Sequence, residues 1–207
     1  MKYSRIISRF VFISCLACVF MAWAVAAQAK DLDVRAAILF DLSQNTIQYQ
    51  KDADNQIAPA SLTKIMTMFL VYDAVAAGRV HLYDSVTVSK AAADTGGSSM
   101  HLTEGEQVSL LDLMKGMAVS SGNDACVAVA EYIAGDVPSF VTMMNAKAQV
   151  LRMHNTVFKN PNGLPADGQL TTARDMLKLA VAYLLTYPNS LKIHSMTSYT
   201  HNGVTKN

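Results

Sequence analysis

Residues 58–67 read Ala-Pro-Ala-Ser-Leu-Thr-Lys-Ile-Met-Thr, and they open a segment with helical periodicity that continues to Gly78. Apolar residues of this segment recur at helical spacing, at Ile65, Met68, Phe69, Tyr72 and Val75. Proline is tolerated in the first turn of a helix, and glycine is typical of the position just after its last turn. The sequence therefore predicts a helix from just after Pro59 to Gly78, with Ser61 and Lys64 at its start.

Ser61 and Lys64 form the pattern Ser-x-x-Lys, which places both side chains on one helix face, one turn apart. A lysine can take the proton of a serine hydroxyl when burial or a second cation lowers its pKa. The N–H groups at a helix N-terminus also favour a developing oxyanion. The pattern alone is weak evidence, because about one copy arises by chance in a chain of this length. A capping serine beside a solvated lysine would show the same letters.

A second pattern, Ser-x-Asn, occurs at Ser43-Gln44-Asn45 and again at Ser121-Gly122-Asn123. The first copy falls in a predicted hairpin turn, where serine and asparagine are expected for turn chemistry. The second copy falls between two predicted helices, where its hydroxyl and amide can point together into a cleft. We expect Ser121 to relay a proton there, and Asn123 to bind Lys64 and a substrate amide.

The remaining pattern predicts a mixed α/β domain with a helical middle. The predicted elements are strands at 34–41 and 46–50, helices at 109–119, 124–134 and 139–151, an ordered loop at 158–170, a helix from Thr172 to Tyr187 and a strand near 196–200. We expect Ser109, Ser139 and Thr172 to begin their helices as caps.

Five blocks occur in a fixed order along the chain. They are 58–67, Gly97-Ser98-Ser99-Met100, Ser120-Ser121-Gly122-Asn123-Asp124-Ala125, Asn160-Pro161-Asn162-Gly163-Leu164-Pro165 and Ala173-Arg174-Asp175-Met176. Together they resemble the exported serine D-alanyl-D-alanine carboxypeptidases, the low-molecular-mass penicillin-binding proteins. The resemblance covers the chain from Arg35 onward. It implies an α/β fold of the DD-peptidase/β-lactamase-like type, with an N-terminal β-hairpin followed by a helical region.

The resemblance also implies a role for each matched residue. Ser61 would be the acylated nucleophile, Lys64 its proton acceptor, and Ser121 the group that passes a proton to the leaving group. Asn123 would bind Lys64 and the substrate amide. The implied substrates are peptidoglycan stem peptides ending in D-Ala-D-Ala and β-lactam antibiotics, with no cofactor and no metal.

The third element of that family, Lys-Thr-Gly, does not occur in this sequence, and Val204-Thr205-Lys206-Asn207 has those letters in the wrong order. We therefore expect the chain to be incomplete at its C-terminus, with strands of the sheet missing. Residues 30–207 alone are then expected to be inactive, since a second cation and part of the oxyanion hole would be absent. Family members often carry a C-terminal membrane anchor, which implies peripheral association with the membrane.

Two alternatives remain open from the sequence. A class A-like β-lactamase uses a glutamate in the loop after its Ser-x-Asn helices, whereas the last glutamate here is Glu131 and only Asp167 could imitate one. A non-catalytic remnant that binds peptidoglycan or penicillin is the other alternative. Turnover of a D-Ala-D-Ala peptide would separate that remnant from the enzyme.

The N-terminus has the features of a secretory signal peptide. Three basic residues precede an apolar run from Phe10 to Ala27, and Ala27-Gln28-Ala29 is a small-x-small cleavage pattern. We predict a signal peptide at 1–29 and a penicillin-binding catalytic domain at 30–207, located in the periplasm or on the extracytoplasmic face of the membrane. An uncleaved anchor would export the same domain.

Composition excludes several other classes of function. Residues 1–29 hold three of the 17 basic residues and none of the 16 acidic ones, so 14 basic and 16 acidic residues remain, a formal net charge of −2. A nucleic-acid partner is therefore not expected. The five histidines show no metal-binding spacing. Cys126, the single cysteine after residue 29, is predicted to be a buried apolar residue, and Arg174-Asp175 to form a structural ion pair.

Overall fold

The computed structural model describes residues 32–206, and the predicted signal peptide lies outside these described residues. The strands are β1 (Ala37–Asp41), β2 (Thr46–Lys51), β3 (Ser85–Thr87), β4 (Gln107–Ser109), β5 (Tyr199–His201) and β6 (Val204–Lys206). The helices are α1 (Thr63–Ala76), α2 (Lys90–Ala93), α3 (Leu110–Val119), α4 (Asn123–Ala134), α5 (Val137–Val150), α6 (Ala173–Thr186) and α7 (Leu191–His194). Short 3-10 turns at Ala60–Leu62 and Pro188–Ser190 precede α1 and α7.

Within residues 32–206 the strands form three separate antiparallel pairs, β1 with β2, β3 with β4 and β5 with β6. The predicted N-terminal hairpin is confirmed, although β1 begins at Ala37. Its turn is closed by the Asp41 carboxylate, which accepts hydrogen bonds from the backbone N–H groups of Ser43 (2.8 Å) and Gln44 (3.1 Å). The C-terminal strand is also confirmed, but it begins at Tyr199. The pair β3–β4 and the short α2 were not predicted.

Side-chain caps define where the longer helices begin. Ser109 accepts a hydrogen bond from the Asp112 N–H (3.0 Å), and Thr172 accepts one from the Asp175 N–H (3.1 Å), which confirms both predicted caps. The predicted Ser139 cap is wrong, because α5 begins two residues earlier. Its cap is Asp136, whose carboxylate accepts a hydrogen bond from the Ser139 N–H at 2.6 Å. Proline suits the first turn of that helix, so the chain can turn helical before Ser139.

The core forms around α1 and α4. The first eight residues of α4 are all buried, and the six from Ala125 to Ala130 are apolar. On α1, Met66, Phe69 and Val71 are buried as well. Cys126 lies in this core with no exposed surface, and burial raises the pKa of its thiol to about 12. The prediction of a buried cysteine is therefore confirmed.

The helices were also compared with the length of a membrane span. Within residues 32–206, no single helix is both long and apolar enough to cross a bilayer. The pair α4 and α5 meets the criteria of length and composition only when its two helices are taken together, across a bend of 86°.

Candidate active site

Ser61 lies just before the N-terminus of α1, in the 3-10 turn that leads into the helix. The side chain of Lys64 follows one turn later and is buried, with 5% of the residue exposed, whereas Ser61 is exposed. The predicted arrangement of the two side chains is therefore present. The exposed hydroxyl of Ser61 lies next to the buried ammonium group of Lys64.

Three oxygen atoms surround the Lys64 ammonium. Its Nζ donates to the side-chain Oδ1 of Asn123 (2.8 Å), to the main-chain carbonyl of Asn162 (2.7 Å) and, at 3.4 Å, to Oγ of Ser61. Burial is the main cause that lowers the pKa of Lys64, and the negative charge of Asp124 partly opposes it. A lysine in this setting gives up its proton more readily than one in water, which is what a general base requires.

Ser121 completes the contacts of Ser61. Its hydroxyl donates to Oγ of Ser61 at 2.9 Å, on the side away from the helix interior. Ser121 has a backbone φ of +53°, in the left-handed region that serine rarely adopts. Ser61 Oγ therefore lies between a serine hydroxyl and a buried amine.

The Asn123 amide is fixed at both ends. Its Oδ1 accepts from Lys64, while its Nδ2 donates to the Gly96 carbonyl at 2.9 Å. The Asn123 N–H also donates to the Ser98 carbonyl at 2.8 Å. A Cβ atom on Gly97 would lie 2.7 Å from the Asn123 Nδ2, so a glycine is needed for this close approach. The segment around Gly97 thus determines which end of the amide faces Lys64.

The turn at 160–165 supplies the remaining wall. The Asn160 side chain accepts from the Gly163 N–H (2.7 Å) and donates to the Leu164 carbonyl (2.8 Å), which holds the turn closed. Its outward carbonyls face α1, where Thr67 Oγ1 donates to the Pro161 carbonyl at 2.6 Å. The neighbouring carbonyl of Asn162 is the one that binds Lys64.

Gly163 brings this turn against Ala60, the residue that precedes Ser61. A Cβ atom on Gly163 would lie 1.8 Å from the carbonyl oxygen of Ala60, and Gly163 has a φ of +90°. Ala60 itself has a left-handed φ of +46°. Only glycine permits the contact, so the turn and the start of α1 fit together as one unit.

An open cleft of about 540 Å³ lies in front of these residues. Its polar end holds Ser61, Lys64 and Ser121, and its apolar wall consists of Ile65, Met68, Met117 and Ala118. His194 closes one side, with its Nε2 3.1 Å from the hydroxyl of Tyr183. Burial lowers the pKa of His194, which favours its neutral form. The cleft can therefore receive an extended, partly apolar ligand next to Ser61.

The four residues singled out from the sequence come together here: Ser61, Lys64 and Ser121 line the cleft, and the buried Asn123 binds Lys64 at 2.8 Å. Sequence reasoning missed the main-chain carbonyls of Gly96 and Asn162, although Asn162 lies in a recognised block and Gly96 directly precedes another. The predicted ion pair within Arg174-Asp175 is wrong in its partners. Arg174 binds Asp54 (2.7 Å), and Asp175 binds Lys178 (2.6 Å), so both remain structural.

The oxygen that the 158–170 loop offers to Lys64 is a main-chain carbonyl, in contrast to the carboxylate that a class A β-lactamase would need. Asp167, the residue that could imitate such a glutamate, lines a second cavity of about 490 Å³ beyond Ala60. This arrangement favours a DD-peptidase over a β-lactamase of that class.

Comparison with known proteins leads to the same class. A sequence profile of the D-alanyl-D-alanine carboxypeptidase family matches residues 23–207. D-alanyl-D-alanine carboxypeptidase DacC of Escherichia coli (strain K12) is 44% identical over 183 residues, which cover 86% of this chain and 46% of that protein. The chain therefore belongs to the D-alanyl-D-alanine carboxypeptidase family.

Solved structures confirm the predicted fold. The carboxypeptidase DacD from Francisella tularensis superposes with a TM-score of 0.81 at 41% identity, over 84% of this chain and 42% of that one. Penicillin binding protein 5 from Haemophilus influenzae superposes with a TM-score of 0.83 at 35% identity, over 87% of this chain and 54% of that one. The chain thus has the DD-peptidase fold and spans about half the length of these relatives.

Proposed function

We propose that this protein is a serine D-Ala-D-Ala carboxypeptidase that removes the terminal D-alanine from peptidoglycan stem peptides and is acylated by β-lactams. One observation carries the proposal. Ser61 Oγ lies 3.4 Å from a buried lysine amine and 2.9 Å from a second serine hydroxyl, at the mouth of an open cleft. The substrate class is that named for its relatives, a D-alanyl-D-alanine carboxypeptidase and a penicillin binding protein.

In the proposed reaction, Lys64 in its neutral form accepts the Ser61 proton. Ser61 Oγ then bonds to the carbonyl carbon between the two D-alanines, and the C–N bond to the terminal D-alanine breaks. Ser121 passes a proton to the leaving nitrogen. Water hydrolyses the resulting ester and restores Ser61. A β-lactam follows the same first step, with its ring amide as the bond that opens.

The Asn123 amide has two tasks in this proposal. Its Oδ1 holds Lys64 in place, and its position beside the cleft suits a hydrogen bond to the backbone of the peptide. We also propose that the protein works outside the cytoplasmic membrane, where stem peptides are found. The predicted signal peptide at 1–29 and the predicted peripheral membrane association belong to this proposal.

The test uses the protein expressed from its complete gene and treated with a penicillin. We expect one adduct per molecule by intact mass, and peptide mapping should find it on Ser61. Ser61→Ala should lose the adduct, whereas Ser43→Ala, which changes an exposed turn serine, should keep it. An acylated peptide ending in D-Ala-D-Ala should release D-alanine only with Ser61 present.

Two results would contradict the proposal in different ways. An adduct that survives Ser61→Ala, or that maps to Ser121, would remove Ser61 as the nucleophile. An adduct on Ser61 without release of D-alanine would instead identify a penicillin-binding protein that does not turn over this peptide.

A further inference from the structure

Asp124 follows Asn123 in the first turn of α4 and is completely buried. Its carboxylate accepts hydrogen bonds from the Ser99 hydroxyl (2.6 Å) and from the backbone N–H groups of Met100 (3.0 Å) and Leu102 (3.1 Å). The Ala125 N–H of its own helix adds a fourth donor at 2.9 Å. Buried carboxylates are stable only when such donors surround them, and all four of these are uncharged.

The segment that Asp124 holds is the one that orients Asn123. Residues 99–102 are bound to the carboxylate, and the preceding Gly96 and Ser98 bind the Asn123 side chain and N–H. Because the Gly96 carbonyl accepts from Nδ2, the other end of the amide presents an oxygen to Lys64. A segment released from Asp124 would no longer define this orientation.

The carboxylate also carries a charge close to Lys64. Cys126 and Asp124, both on α4, oppose the effect of burial on the Lys64 pKa, and Asp124 directly follows Asn123, whose Oδ1 binds the Lys64 ammonium at 2.8 Å. Burial keeps the Cys126 thiol neutral, since its pKa is raised to about 12. The other contacts of Lys64, Ser61 Oγ, the Asn123 amide and the Asn162 carbonyl, carry no charge. Asp124 is therefore the carboxylate that lies next in the chain to the residue that binds Lys64.

We propose that Asp124 is a positioning residue for acylation, which fixes segment 96–102 and through it the Asn123 amide. The inference rests on the proposed function for the step that it affects. It also has an electrostatic part, in which the Asp124 charge favours the protonated form of Lys64, and that part does not require turnover.

The first measurement is a titration of the Lys64 side chain by carbon-13 NMR, with Lys64→Met used to assign the signal. Asp124→Asn removes the charge but keeps the shape, so the midpoint should move to lower pH. Asp124→Glu keeps the charge and should leave the midpoint close to that of the wild type. Asp175→Asn is the matched control. Asp175 is another buried first-turn aspartate that holds a loop, and its loss should not move the midpoint.

The second measurement is the rate constant of acylation by a fluorescent penicillin across the same pH range. At high pH, where Lys64 is neutral in every variant, Asp124→Asn should acylate about 10- to 100-fold more slowly, because a misplaced catalytic group loses about that much. Ser99→Ala removes one bond to the carboxylate and no charge, so it should slow acylation without moving the midpoint.

An unchanged midpoint in Asp124→Asn, or a shift to higher pH, would overturn the electrostatic role. A wild-type rate at high pH in both Asp124→Asn and Ser99→Ala would overturn the positioning role. If Asp124→Asn does not fold, Ser99→Ala alone decides the positioning role, and a wild-type rate at high pH in that variant overturns it. A wild-type protein that penicillin does not label would instead contradict the proposed function, and the NMR titration would still test Asp124.

Discussion

The chain contains Ser-x-Asn twice, and the two copies lie in unlike surroundings. Ser43-Gln44-Asn45 forms the exposed turn between β1 and β2, where the Asp41 carboxylate accepts from the Ser43 hydroxyl at 2.7 Å. Ser121-Gly122-Asn123 connects α3 to α4, where Ser121 binds Ser61 and Asn123 binds Lys64. The same three letters therefore serve turn formation in one place and a candidate catalytic site in the other.

The backbone separates the two copies further. Each has one residue in the left-handed region, Asn45 with a φ of +54° in the turn and Ser121 with a φ of +53° in the site. Asparagine tolerates that conformation, whereas serine adopts it less readily. The backbone around Ser121 is held by the N–H groups of Ser120 and Gly122, which both donate to the Gly116 carbonyl. An unfavourable conformation kept by its surroundings is typical of a functional site.

The largest expected effect comes from removing Lys64, which binds Asn123 of the second copy. Lys64→Met should lower the rate of acylation by about 10²- to 10⁴-fold, the usual contribution of a general base. In the wild type the rate should rise with pH as Lys64 loses its proton. This rise should occur at a lower pH than the ordinary titration range of lysine, because burial lowers the pKa of Lys64. The control is Lys90→Met, which removes an exposed lysine paired with Asp94. A rate near that of the wild type in Lys64→Met would show that another group takes the proton.

The second effect compares the two asparagines. Asn123→Ala removes the side chain that holds Lys64 in place, so acylation should slow about 10- to 100-fold, the loss typical of a misplaced catalytic group. Asn45→Ala should leave the rate unchanged and instead lower the free energy of unfolding by about 1 kcal/mol, since alanine disfavours a left-handed turn. Stopped-flow acylation and urea unfolding of both variants give the two values. Equal rates in the two variants would mean that the position of the second copy has no chemical consequence.

The smallest effect is one on stability and concerns the strained serine. Ser121→Gly should slow acylation about 10²-fold or more, because the group that passes a proton to the leaving nitrogen is lost. It should also raise the free energy of unfolding by up to about 1 kcal/mol, since glycine adopts a positive φ without strain. Ser43→Gly, in the first copy, should neither slow acylation nor raise the free energy of unfolding. A Ser121→Gly protein that unfolds more easily than the wild type would show that the conformation of Ser121 is not strained.

The sequence predicted the parts of the site that consist of side chains, and it missed those that consist of main-chain groups. Ser61 and Lys64 are neighbours on one helix, so their spacing alone gives their relation. Asn123 was assigned through the resemblance and the order of the blocks. The carbonyls of Gly96 and Asn162 have no side-chain signature, and only the folded backbone brings them to Asn123 and Lys64.

The same limit explains the errors in the fold. Ser139 is a good cap by residue type, but Asp136 is another, and the proline between them allows the earlier start. Arg174 and Asp175 are adjacent in the sequence, yet neighbouring residues of a helix point in different directions. Each therefore finds its partner elsewhere, Arg174 on Asp54 at the end of the hairpin region and Asp175 on Lys178 one turn along α6.

The contacts of Lys64 have a consequence for how the chain acquires its reactivity. Asn123 is 59 residues and Asn162 is 98 residues further along the chain, although Ser61 is only three residues away. An unfolded chain therefore holds an ordinary serine beside an ordinary lysine, and neither is reactive. The contacts of Lys64 form only when the chain has brought Asn123 and Asn162 back to it. Closing these two long segments is slow compared with the formation of α1 itself. In the proposed function, Ser61 therefore becomes reactive only at the end of folding, so its labelling by a penicillin reports that the native topology has formed.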